Sequence, residues 1–89
     1  MTSADGTDRA DFDRLFDQYK NCEFSIENHL YQIFKPAIKN MYALDELFDS
    51  GNDCRIALCP THTDCLNVKL FNGKSFNEQF SDITVEWVS

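Results

Sequence analysis

Between Phe12 and Phe48 the apolar residues keep one helical spacing for thirty-seven positions. Phe12, Phe16, Tyr19, Ile26, Leu30, Ile33, Ala37, Met41, Leu44 and Phe48 follow one another at steps of three, four or seven. Steps of three and four put side chains on one face of an α-helix, so the stretch predicts an amphipathic helix or a pair of them. Glu23, beside Cys22, is the polar interruption on that line. Length limits the arrangement. Thirty-seven helical residues would extend roughly 55 Å, and a compact chain of 89 residues is only roughly 30 Å across. The helix therefore folds back on itself, or it projects and a partner covers the rest.

Two places can break it. Asn21 to Ser25 interrupts the stripe at Glu23, and Ser25 can cap a following helix through its hydroxyl. Lys35-Pro36 removes a helical hydrogen bond and crowds the preceding turn. The expected arrangement is helices at about 8–21 and 25–49, with the break at 21–25 and a kink at Pro36. Residues 1–7 are polar and read as a flexible tail, with helix one starting near Thr7 or Asp8.

Ser50-Gly51-Asn52-Asp53 supplies a glycine stop and turn formers, and after it the apolar period falls to two. Strands are expected at about 54–59, 65–70, 74–78 and 82–88, with a loop at Pro60 to Asp64. A three-residue loop at Phe71-Asn72-Gly73 pairs Val68 with Phe76 and keeps one face apolar, whereas a two-residue loop does not. Ile83, Val85 and Trp87 then point inward from the last strand. The fold class is α+β: an N-terminal helical hairpin, or one kinked long helix, packed on a small C-terminal antiparallel β-meander of three to four strands. Residues 8–89 form one such domain. In element order alone this layout resembles the small subunit of the general transcription factor IIA; no residue motif accompanies the likeness, so it implies no function.

Charge narrows the function classes. Fifteen acids against eight bases give a net charge of −7, and no cluster of Lys and Arg exists to neutralise phosphates, so direct nucleic-acid binding is not expected. Apolar runs are too short to span a membrane. The N-terminal residues lack the order of a signal peptide, which predicts an intracellular protein of cytoplasm or nucleus. Asp11, Asp13 and Asp17 lie in an acidic first helix that favours its own dipole and could dock on a basic partner surface.

A second aromatic line, Tyr31, Phe34, Ile38 and Tyr42, shares one face of the expected helix two. A helix apolar on two sides is generally buried on two sides, so either helix one or a partner covers this line. Cys54, Cys59, His62 and Cys65 offer a zinc ligand set of unusual spacing, although an odd separation on a strand turns Cys54 and Cys59 to opposite faces. Cys59 and Cys65 could also bridge across the loop, and otherwise the thiols act as small apolar residues. Cys22 and His29 stand seven apart without a third orienting group. No catalytic signature and no cofactor motif is present. The expectation is a non-enzymatic interaction module, a small acidic subunit or inhibitor of a larger complex; the alternatives are a zinc-stabilised adaptor and a structural homodimer.

Overall fold

The second half of the apolar stripe is not helical. The computed structural model describes residues 9–88, so the expected tail and the helix start at Thr7 or Asp8 lie outside the described residues. Its elements run α1 (Arg9–Tyr19), β1 (Asn21–Ile26), β2 (His29–Phe34), β3 (Tyr42–Leu47), β4 (Cys54–Cys59), α2 (His62–Leu66), a 3-10 segment (Asn77–Asp82) kinked at Gln79, and β5 (Thr84–Trp87). The five strands form one antiparallel sheet in the order β4-β3-β2-β1-β5. The class is α+β, but neither a helical hairpin nor a kinked long helix is present among the described residues, and five strands replace three to four. With the hairpin goes the likeness in element order to the transcription-factor subunit.

The same residues satisfy a second period, and that period wins. Cys22, Phe24 and Ile26 are buried, while Asn21, Glu23 and Ser25 between them are not. This alternation suits a half-buried strand. Lys20 ends α1 in the left-handed region (φ 60°), its amide donating to the Phe16 carbonyl at 2.7 Å. Glu27 and Asn28, at φ 49° and 74°, join β1 to β2. Two positive-φ residues between strands match the twist of a hairpin, and Ile26 faces His29 across that turn.

Pro36 closes β2 instead of kinking a helix, because it has no N–H for the ladder. The Lys35 ammonium ties the following loop by donating to the Ile38 and Met41 carbonyls at 2.9 and 3.0 Å. The turn expected at Ser50 to Asp53 is present, with Gly51 at φ +84°, but it joins two strands.

Residues 60–83 cross one face of the sheet from the β4 edge to the β5 edge and form most of its cover. The strands expected at 65–70 and 74–78 shrink to a single bridge, Lys69 opposite Ser75. That register, with Leu70 bonded to Lys74, leaves the three-residue loop of Phe71, Asn72 and Gly73. Thr61 caps α2 by accepting the Asp64 amide at 3.1 Å. Ser75 and Glu78 form a reciprocal capping box: the Glu78 amide donates to Ser75 Oγ at 3.3 Å and the Ser75 amide to Glu78 Oε2 at 2.6 Å. The Lys69 ammonium on the same oxygen, helped by the Ser75 amide, holds the Glu78 carboxyl down at about 2.

The core lies between this cover, α1 and the inner sheet face. Phe12, Phe16, Phe24, Tyr31, Ile33, Leu44, Leu66, Phe76, Val85 and Trp87 fill it. Phe12 rests against Phe76, Phe80 and Trp87 with ring centroids 5.2, 5.6 and 4.9 Å away. The whole is 31 × 31 × 24 Å, too short for a straight thirty-seven-residue helix.

Candidate interaction surface

The sheet face turned away from α1 carries the side chains that alternate with the core residues. A polar row crosses all five strands: Glu86, Glu23, Gln32, Asp45 and Arg55. At one end Arg55 is neutralised. Its Nε donates to Asp45 Oδ1, and its guanidinium lies 5.9 Å over the Phe34 ring. Gln32 donates to Asn21 Oδ1 at 2.9 Å.

The other end is in conflict. Glu23 and Glu86 stand directly opposite one another, and among the described residues no cation pairs with either. Like charges in facing positions destabilise a strand pair. Glu86→Lys is therefore expected to stabilise the isolated protein, by about 0.2–1 kcal/mol; unchanged or lower stability in urea titrations would show that the two carboxylates do not repel.

Beside these acids lies an apolar corner. Leu30 is 38% exposed and Phe48 48%, with half-buried Leu47 opposite Leu30 across the β2–β3 pair. Leu30 borders two shallow depressions. One, of about 110 Å³, is lined by Glu23, Phe24, Ser25, Leu30, Thr84 and Glu86. The second, of about 280 Å³, is lined by Leu30 with Asn28, His29, Glu46, Leu47, Phe48 and Asp49. Behind it His29 Nδ1 donates to Glu46 Oε2 at 2.9 Å, and its ring stacks on Phe71 at 3.8 Å.

The aromatic line expected on a helix is dispersed, because strand alternation replaces helical spacing. Tyr31 is buried and stacks on Phe24 at 5.2 Å. Burial pushes its phenol above its ordinary value, a rise that the Phe71 backbone partly offsets. Tyr42 turns to the core side against Phe16 at 5.8 Å, Phe34 lies half-buried on the opposite face, and Ile38 is exposed in the β2–β3 loop. The three acids of α1 are also not equivalent. Asp11 pairs with Arg14 at 3.4 Å and Asp17 with Lys20 at 3.3 Å, both at the surface. Asp13 bonds His62 Nε2 at 2.9 Å, and that imidazole stacks on Phe16 at 4.7 Å, so the pair fastens α1 to α2.

Cys54 and Cys59 end opposite tips of β4, roughly 16 Å apart at strand rise. They cannot share one tetrahedral ion. Among the described residues no group of three or more His, Cys, Asp or Glu side chains is placed to hold a metal. Cys22 and His29 belong to neighbouring strands, with Cys22 opposite Ile33 and His29 opposite Ile26. Among the described residues no helix is long and apolar enough to cross a membrane.

Sequence reasoning missed Glu23, Glu86 and Leu30 as neighbours. The signal was present in Asn21 to Ile26, whose strict alternation competes with the helical stripe. Comparison with protein-family models, with curated proteins and with solved structures finds no match to this chain.

Proposed function

We propose that this protein is a non-enzymatic protein–protein interaction module that docks the Leu30 side of its open sheet face on a basic and apolar surface of a protein partner. The facing Glu23 and Glu86 beside exposed Leu30 carry this reading. Two unpaired carboxylates attract Lys or Arg side chains, and Leu30, Leu47 and Phe48 supply the apolar area next to them. The acids of α1 contribute the long-range field of a chain at net charge −7. The two depressions are smaller than the roughly 300–1,000 Å³ usual for small-molecule sites, which favours a macromolecular ligand over a substrate. A second copy of the chain is disfavoured as the occupant, since it would set Glu23 and Glu86 against another acidic surface. Four free thiols suit a reducing intracellular compartment.

The test compares wild type with a Leu30→Ser, Glu23→Gln, Glu86→Gln variant in affinity capture from the source cells, at about 0.05 and 0.3 M salt. A partner retained by wild type at low salt, released at high salt and lost by the folded triple variant is expected. Asp11→Asn with Asp17→Asn should slow its association while leaving capture in place. Equal capture by the triple variant would place the interface elsewhere.

A further inference from the structure

Cys59 closes β4, and Cys65 lies in α2, which packs on β3 and β4. Register sets Cys59 opposite Tyr42, and the Cys65 thiol donates to the Tyr42 carbonyl at 3.6 Å. Both cysteines therefore sit beside one residue of β3, close enough for Cys59 to act on the charge of the Cys65 thiol. Their exposure differs. Cys59 is half-buried at the sheet edge and Cys65 is 1% exposed. Pro60 and the Thr61 cap hold the short connection between them in a turn.

We propose that Cys59 and Cys65 are a redox pair that closes to an intramolecular disulfide when a low-molecular-weight disulfide such as oxidised glutathione reaches Cys59, fastening α2 to the edge strand. The Cys59 thiol loses its proton, and its sulfur attacks one sulfur of the small disulfide, forming a mixed disulfide and releasing one small thiol. Cys65 then loses its proton and attacks the Cys59 sulfur, expelling the second small thiol. The protein is oxidised by two electrons, and one small disulfide is reduced to two thiols. Burial, with Cys59 alongside, pushes the Cys65 thiol up to about 12, so it is a poor attacker of anything in solution. Proximity to Cys59 makes it the resolving group. Cys54 is exposed at the far tip of β4, and Cys22 is wholly buried in β1. The first is too distant to resolve the mixed disulfide, and the second is shut off from the oxidant. This site is separate from the Leu30 surface and does not depend on it.

The folded Cys54→Ala protein is equilibrated with mixtures of reduced and oxidised glutathione, quenched with acid, and digested without reductant for mass spectrometry. Expected is a species lighter by two hydrogens, with Cys59 joined to Cys65 and no retained glutathione, whose thermal midpoint rises by about 5 °C. Adding Cys65→Ser should trap glutathione on Cys59. Adding Cys59→Ser, at a half-buried position that need not disturb the core, should leave Cys65 unmodified. A stable mixed disulfide on Cys59 with Cys65 intact would overturn the proposal, as would a Cys22–Cys65 link.

Discussion

Phe12→Ala is expected to cost about 3–5 kcal/mol, in line with truncation of a fully buried aromatic. Phe12 is 0% exposed, and its ring meets residues from three separate parts of the chain: Phe16 in α1, Phe76 and Phe80 in the cover, and Trp87 in β5. Phe16, one turn on, makes a second such set of contacts, with His62 in the cover and Trp87 in β5. Without Phe12, α1 loses its ring contacts with Phe76 and Phe80 in the cover, and Trp87 loses the nearest of its aromatic neighbours. Total stability of a chain this size is on the order of 5–10 kcal/mol, so about half would go. Urea unfolding followed by Trp87 fluorescence measures it. Phe71→Ala, at a residue 46% exposed, is the control and should cost about 1 kcal/mol or less. Equal losses would mean that α1 is not an integral part of the core.

The second large effect is alkaline. Burial pushes the Cys22 thiol far above its ordinary value, a rise that the Ile33 backbone only partly offsets, and Cys65 is held at about 12. An unfolded cysteine loses its proton near 8.5. The folded state therefore keeps protons that the unfolded state releases, and the stability this represents is complete below that pH and lost above it. Each group contributes a slope of about 1.4 kcal/mol per pH unit once the unfolded thiol is ionised. From about pH 9 to 10.5 the two thiols together should remove about 4 kcal/mol, and the raised Tyr31 phenol adds to the loss at the upper end. Cys22→Ala lowers stability at neutral pH by leaving a small cavity but should flatten the alkaline slope by one group. A slope unchanged in that variant would show that the Cys22 thiol does not carry the effect.

Much of the secondary pattern was legible where one period had no rival. Thr84 to Trp87 could only be a half-buried strand, and Ile83, Val85 and Trp87 are buried as their alternation required. The Cys54–Cys59 strand, the turns at Gly51 and Gly73 and the helix through Phe12 and Phe16 also follow from local chemistry. Residues 21–47 were different, because Ile26, Leu30, Ile33, Ala37, Met41 and Leu44 fit a helix while Cys22, Phe24, Ile26, Tyr31 and Ile33 fit strands. Glu27-Asn28 gave no strong hairpin signal, since glycine is absent from a turn that needs two positive φ angles. The Ser75 and Glu78 capping box falls inside the strand expected at 74–78, where the alternation of apolar residues masked its Ser-x-x-Glu spacing.

Composition and length alone establish a small, acidic α+β chain with a Phe-rich core and a size that forbids a long straight helix. Tertiary structure decided which period residues 21–47 obey. A lone helix there would leave its second apolar side uncovered, whereas three strands lend one face to a shared core and satisfy their backbone groups across the ladder. It alone also set Glu23 against Glu86 and Cys59 beside Cys65, because strand register and packing across a sheet join residues that no local pattern relates.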